Sequence, residues 1–178
     1  GGSIGSEISE QIIKIQPDKI LLLDHSEFAL YRVIEKINQI KFDLKLKTHI
    51  IPILKSITHK ENLKNIFETY KINTIYHSAA YKHVSMLEYN IVEGIRNNIL
   101  GTLNCAEIAK KYNVENFVLI STDKAVRPTS IMGFSKRIAE LAILSLDRKQ
   151  KNSAKKTRFA IVRFGNVIGS SGSAIPLF

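Results

Sequence analysis

The chain has 178 residues, 44% of them apolar and 24% charged, with a formal net charge of +10. That mix excludes disordered and fibrous classes, and the length suffices to bury a real core. No apolar run approaches the ~18–20 residues that cross a bilayer. One cysteine, Cys105, excludes an internal disulfide and a cysteine-based zinc site. The stretch is expected to be soluble and intracellular. Its basic residues are mostly scattered lysines, which read as solvated faces. A nucleic-acid surface would cluster them with interleaved aromatics, so no nucleic-acid partner is expected. The densest basic run, Arg148-Lys149-Gln150-Lys151 with Lys155-Lys156, reads as a loop.

Ser6 to Ile15 has near-helical apolar spacing. Lys19 to Asp24 is a short apolar run ending in an acid, as a buried parallel strand would. Glu27 to Ile40 is predicted helical, with Phe28, Leu30, Tyr31, Ile34 and Ile37 as core candidates. Thr48 to Leu54 reads as a strand, with Pro52 suggesting an edge. A short helix over Lys60–Tyr70 precedes a strand over Asn73–His77. A long helix follows from about Ile91 to Tyr112, then a strand over Asn116–Ser121. Met132–Leu146 is predicted helical and Arg158–Arg163 is the last strand. Strand and helix alternate at βαβ spacing, which predicts an α/β fold with a doubly wound parallel sheet.

In such a sheet, ligands bind beyond the carboxyl ends of the strands. Gly1, Gly2 and Gly5 lie directly before the first predicted helix. Backbone N–H groups at such a helix start can approach a phosphate. Asp24 ends the next strand about 20 residues further on, where an acid hydrogen-bonds a dinucleotide's ribose. That acid favours NAD over NADP, whose 2′-phosphate it would repel.

Gly1-Gly-Ser-Ile-Gly-Ser-Glu7 resembles the end of the Gly-x-x-Gly-x-x-Gly fingerprint of extended short-chain dehydrogenases. Further blocks follow in order: His77-Ser-Ala-Ala-Tyr-Lys-His-Val84, Asn97-Asn-Ile-Leu-Gly-Thr102 and Leu119-Ile-Ser-Thr-Asp-Lys-Ala-Val126. Met132-Gly-Phe-Ser-Lys136 and Arg163-Phe-Gly-Asn-Val-Ile-Gly-Ser-Ser-Gly172 complete the set. Together they resemble the nucleotide-sugar 4,6-dehydratases of bacterial polysaccharide biosynthesis. Within that CapD-like group the chain is most similar to the large UDP-N-acetylglucosamine 4,6-dehydratases.

The resemblance implies a Rossmann-like NAD-binding domain over residues 1–178, a fragment whose first strand and C-terminal substrate-covering part lie outside it. It implies membrane helices only in further segments, a place on the cytoplasmic face of the bacterial inner membrane for the full-length protein, and a homo-oligomer. The implied substrate is a UDP-sugar and the implied product a 4-keto-6-deoxy sugar nucleotide. The implied cofactor contacts are Gly2, Ser3, Ile4, Gly5, Asp24, Ser26, Ser56, Ala79, Ala80, Tyr81 and Lys136. Relatives usually show Gly-Asp after the third strand of that fold. Here the pair is Lys55-Ser56, which is expected to weaken the grip on adenine.

Thr122-Asp123-Lys124 follows directly on a predicted strand. By resemblance Asp123 gives a proton to the C6 oxygen and Lys124 takes the C5 proton, with Thr122 a candidate relay for the C4 hydroxyl. Asp123 would need a raised pKa and Lys124 a lowered one, yet an adjacent ion pair stabilises both charged forms. Met132 occupies the place where most short-chain dehydrogenases carry a catalytic Tyr, and Lys136 keeps the ribose-binding place one turn on. A thioether cannot exchange a proton. Lys82, His83, Asn166 and Ser171 are implied substrate contacts, and no metal site is expected. A UDP-sugar 4-epimerase and a non-catalytic dinucleotide sensor are the competing readings.

Overall fold

The computed structural model describes residues 1–150 and 156–167. Among them, five strands alternate with helices and every strand pairing is parallel. This is the expected α/β class. The described residues form two compact units, 1–56 and 57–167.

The first unit runs α1 (Ser3–Lys14), β1 (Lys19–Asp24), α2 (Glu27–Asp43) and β2 (His49–Leu54). β1 pairs with β2 from Lys19↔His49 to Asp24↔Leu54. Its core joins Ile13 of α1, Ile20 and Leu22 of β1, and Leu30, Val33 and Ile37 of α2. Phe28 and Tyr31 are not in it: they are 70% and 56% exposed. The helical stripe that faces the core runs Leu30, Val33, Ile37, so Phe28 and Tyr31 fall on its solvent side. Among the described residues the strand that holds Pro52 pairs with β1 alone, an edge position that suits a residue without an N–H.

Helices α1 and α2 each hand over to the next strand through a residue with left-handed φ, Gln16 (55°) and Lys45 (52°). After α2, Leu46 N–H returns to Lys41 C=O at 2.9 Å and Leu46 itself is buried. That pairing of a 6→1 bond with an apolar contact closes the helix without glycine.

The second unit runs α3 (Lys60–Thr69), β3 (Thr74–His77), α4 (Val84–Tyr89), α5 (Ile91–Gly94), a π-helical segment (Ile95–Gly101) and α6 (Thr102–Lys111). It continues with β4 (Asn116–Thr122), a 3₁₀ turn (Asp123–Ala125), α7 (Ile131–Lys149) and β5 (Arg158–Phe164). β4 is the centre of its sheet, flanked by β3 and β5. Its alternate residues Phe117, Leu119 and Ser121 are buried. The predicted long helix is present but widens to π geometry over Ile95–Gly101. There Gly101 admits Ile57, whose Cδ1 would stand 2.6 Å from an added Cβ. Among the described residues no helix is long and apolar enough to cross a membrane.

His77 ends β3 inside this core, 4% exposed and stacked on Phe117 with ring centroids 5.6 Å apart. Its Nε2 lies 2.9 Å from Thr102 Oγ1, and Thr102 gives its own hydroxyl proton to Asn98 C=O at 2.7 Å. Nε2 therefore carries the proton and donates. Burial, aided by the charge of Lys136, pushes the imidazole pKa down from 6.5 to about 3.

The unfolded chain therefore takes up a proton on His77 below pH 6.5 and the folded chain does not until about pH 3. Stability from this group is complete above pH 6.5 and declines as pH falls. By linkage, about 2 kcal/mol is lost by roughly pH 5. His77→Gln, which keeps an N–H for Thr102, should abolish that part of the acid sensitivity in denaturant titrations at several pH values. A variant as acid-labile as the parent over this interval would exclude His77 as the source.

Candidate active site

In the first unit, Gly1 and Gly2 bring the backbone to α1. An added Cβ on Gly1 would sit 2.4 Å from Ala29 Cβ, so only glycine fits there. At Gly2 an added Cβ would meet nothing within 4 Å. Gly2 is the N-cap of α1, and no side chain caps the helix. The space beside Gly2 and the amides of Ser3, Ile4 and Gly5 suit a phosphate drawn to the positive end of the helix.

Asp24 ends β1. Its Oδ1 accepts from Ser26 N–H at 2.8 Å. The Ser26 amide favours the charged carboxylate. An ionised acceptor suits a ribose diol and repels a 2′-phosphate. Ser26 caps α2: its Oγ accepts from Ala29 N–H at 3.3 Å and keeps its own O–H to donate. Ser56 follows β2 directly after Lys55 and is half-buried. The predicted cofactor contacts 2–5, 24, 26 and 56 all belong to this unit, and the ribose carboxylate and the open Gly2 fit a dinucleotide.

In the second unit, the 3₁₀ turn begins where β4 ends. Thr122 Oγ1 donates to Asp123 Oδ1 at 2.9 Å and accepts from Lys124 N–H at 3.4 Å. Lys124 Nζ donates to the same Asp123 oxygen at 3.2 Å and to Asn166 Oδ1 at 3.0 Å. Asn166, expected to meet substrate, thus reaches back from the end of β5 to hold Lys124. The Thr122 hydroxyl and Lys124 keep the exposed Asp123 carboxyl below the usual range. It stands as a carboxylate rather than as a ready acid.

Met132 and Lys136 lie on the buried side of α7, 6% and 7% exposed. Lys136 Nζ donates to Ile120 C=O on β4 at 2.6 Å. Burial lowers its pKa to about 8, with Glu140 pulling the other way. Gly133 carries a steric demand. An added Cβ would lie 2.7 Å from Lys124 C=O and 3.3 Å from Pro128 Cβ. The turn rests directly on the first turn of α7.

Ala79 and Ala80 are half-buried after β3. Tyr81 is held at both backbone groups by Asn98, which accepts from Tyr81 N–H at 2.8 Å and donates to Tyr81 C=O at 3.0 Å. Asn98 also donates to Ser135 Oγ at 2.9 Å, so the π segment fastens the loop after β3 to α7. Asn98 appears in the quoted motifs but had no assigned role. A buried Asn pair in a π segment is the signal that locates it, since π turns gather at functional sites. Lys82 and His83 are exposed, and His83 is the N-cap position of α4 without a side-chain cap. Ser171 and the Gly169–Gly172 loop lie outside the described residues. Among the described residues no cluster of acids, histidines and cysteines could hold a metal ion.

The family model for polysaccharide biosynthesis proteins matches residues 1–178. The chain belongs to this family. It is 48% identical, over its whole length, to the capsular polysaccharide biosynthesis protein CapD of Staphylococcus aureus, of which it spans 28%. It is 32% identical to a UDP-glucose 4-epimerase of Rickettsia rickettsii and 29% identical to an inverting UDP-N-acetylglucosamine 4,6-dehydratase of Campylobacter jejuni. It spans half of each of those proteins. Among solved structures, Pen from Bacillus thuringiensis matches with a TM-score of 0.84 and 31% identity, covering 99% of this chain and 51% of that one. The dTDP-glucose 4,6-dehydratase DesIV of Streptomyces venezuelae, solved with NAD, shares the fold at TM-score 0.74 and 20% identity. It covers 91% of this chain, which covers 52% of it.

Gly133→Ala should raise intrinsic helix propensity by about 1 kcal/mol yet destabilise the protein. The carbonyl it meets is backbone, and overpacking of that kind costs about 1–3 kcal/mol. Denaturant melts of the two proteins give the sign. An unchanged or raised midpoint would show that the turn does not rest on α7.

Proposed function

We propose that the full-length protein dehydrates a UDP-N-acetylhexosamine, UDP-N-acetylglucosamine by preference, to a 4-keto-6-deoxy sugar nucleotide for surface polysaccharide synthesis. Residues 1–178 are its cofactor-binding part and NAD its resident cofactor. Bound NAD would take hydride from sugar C4 and return it to C6.

One observation carries the reading: the hydrogen-bonded run Thr122–Asp123–Lys124–Asn166 at the carboxyl end of β4. Oxidation at C4 requires the C4 hydroxyl proton to leave. Met132 cannot take it, whereas Thr122 Oγ1 already points its proton at Asp123. A proton passed through Thr122 loads the Asp123 carboxylate. Lys124, which is open to solvent, gives its ammonium proton to water and then works as an amine at C5. The C5–H is acidified by the C4 ketone. The proton held by Asp123 then leaves with the C6 hydroxyl as water. Lys124 returns its proton to C5 as hydride reaches C6. Lys124 regains a proton from solvent, so one water is lost and the proton count closes.

Asp24 supports NAD through its ionised acceptor, and Lys136 supports it through a buried ammonium beside the turn. The expected self-association is supported by α7, whose outer face shows Phe134, Ile138, Leu141 and Leu144, each 42–50% exposed. A helix apolar on both faces is ordinarily covered on both.

A 4-epimerase would share the C4 oxidation and omit the elimination. The Asp123–Lys124 pair favours dehydration, because an epimerase needs no acid at C6. Lys124→Ala in the full-length protein should abolish loss of water from the UDP-sugar while NAD remains bound. Mass spectrometry of the product and the absorbance of the cofactor report the two halves. Unchanged turnover would refute the role of Lys124. A product of unchanged mass from the parent would point to epimerisation, and bound NAD without turnover of any UDP-sugar to a sensor.

A further inference from the structure

One turn beyond Lys136 on α7 stands a carboxylate that the chemistry above does not use. Glu140 is 0% exposed. Four donors converge on it: Ser121 Oγ at 2.6 Å, Arg163 Nε at 2.8 Å and Nη2 at 2.6 Å, and Arg137 Nη1 at 3.0 Å. A carboxylate has about four acceptor sites, and here all are filled. Ser121 is the residue before Thr122, and Arg163 lies on β5 shortly before Asn166.

Stability does not explain this arrangement. A buried ion pair is often matched or bettered by apolar residues of equal volume. A bidentate Arg fork instead fixes geometry, because its two parallel bonds tolerate little rotation. What the fork fixes is the distance between two strand ends and one helix face. Those are the elements that carry Thr122, Asp123, Lys124, Asn166 and Lys136.

We propose that Glu140 is a positioning residue: by binding Ser121 and Arg163 together it holds the Thr122–Lys124 turn and Asn166 in place against Lys136. The inference rests on the dehydratase reading for its effect on turnover, and only on NAD binding for its effect on Lys136.

Glu140 also acts on Lys136 through its charge. It raises the lysine pKa, against burial, to the value near 8. Burial would raise the pKa of Glu140 itself, but the bonds from Arg163, Ser121 and Arg137 reverse this and hold it at about 2. It is therefore an anion throughout the working range. Other ionisable groups on elements packed against α7 have partners of their own. β3 brings the neutral His77, and the turn brings Asp123 and Lys124, paired to each other. α4 brings Glu88, bound to Ile131 N–H, and the helix after it brings Glu93 with Arg96. α6 brings Glu107, paired with Lys60. Arg163 and Arg137 bind Glu140 itself.

The test compares the full-length wild type with Glu140→Gln and Arg137→Gln, following NAD affinity and UDP-N-acetylglucosamine turnover against pH. Wild-type NAD affinity should decline as pH rises through about 8, when Lys136 loses its proton. Glu140→Gln removes the anion, so the decline should begin about one pH unit lower. Arg137→Gln removes a competing cation, so the decline should begin higher. Glu140→Gln should also cut kcat about 10- to 100-fold through misplacement of the turn. A purely structural role would lower the melting temperature and leave the limbs where they are.

Coincident limbs in the three proteins, or limbs moving the same way in both variants, would overturn the proposal, as would a wild type that binds no NAD. If Glu140→Gln does not fold, the half-exposed Arg137 variant decides alone. If the wild type binds NAD but turns over no UDP-sugar, the dehydratase reading fails, and opposite limb shifts still establish Glu140 as a setter of Lys136.

Discussion

Parallel pairing of β4 with both β3 and β5 forces three chain exits onto one edge of a sheet. His77 lies opposite Leu119, and Thr122 opposite Phe164. The segments that follow those strands are Ala79–Tyr81, the Thr122–Lys124 turn and Asn166. They are far apart in sequence and neighbours by register alone. An antiparallel β5 would send Asn166 to the other end of the sheet, and Lys124 would lose its second acceptor. The chemistry at the edge is thus a consequence of strand direction before it is a consequence of residue type.

What strand direction cannot do is set the depth and angle at which the turn stands. That is the work of α7. At Gly133 the helix yields a side chain so that the Lys124 carbonyl can approach. One turn on, Lys136 bonds the Ile120 carbonyl, and one turn further Glu140 takes the Ser121 hydroxyl. Three successive helical turns touch the end of β4 and the turn that follows it. The three buried ionisable groups here meet different fates for stated reasons. His77 has an aromatic and a hydroxyl neighbour and stays neutral. Glu140 has two guanidinium groups and stays charged. Lys136 has burial against it and one anion for it, and it titrates between them.

Much of this was legible in the sequence. The strand runs at 19–24, 116–121 and 158–163 are short, apolar and bounded by polar turns, and burial of a parallel strand demands that pattern. The positions of Asp24 and of the turn triplet could be read because each sits where an apolar strand run ends. Other features were not legible, for physical reasons. Phe28 and Tyr31 have the right type for a core, and only the helical phase of Leu30, Val33 and Ile37 sends them outward. α4 has six residues, too few for a period to show. The π segment differs from an α-helix by one residue per turn, which apolar spacing does not resolve. Ser26 looks like a ligand contact in a motif, and only the fold shows that its Oγ also accepts from Ala29 N–H as the cap of α2. Glu140 and Arg163 read as ordinary charges until the fold shows one of them wholly buried.

Met132 draws these points together. In a Tyr–Lys arrangement the lysine cation serves the phenol, since a nearby positive charge eases loss of the phenolic proton. With a thioether in that place the cation has no phenol to tune. Nothing in proton chemistry then requires Lys136 to be strongly basic, and burial is free to bring it close to neutrality. A single buried anion one turn away keeps the ammonium available for a ribose. The proton traffic moves to the exposed turn, where Thr122, Asp123 and Lys124 exchange hydrogen bonds among themselves. An exposed carboxylate below its ordinary pKa is a poor acid at rest, and it becomes a competent one only after it receives a proton from the substrate. Under the dehydration proposed above, exchange of Tyr for Met would tie the acid step to the oxidation that precedes it: Asp123 would release water at C6 only once Thr122 had delivered the proton from C4.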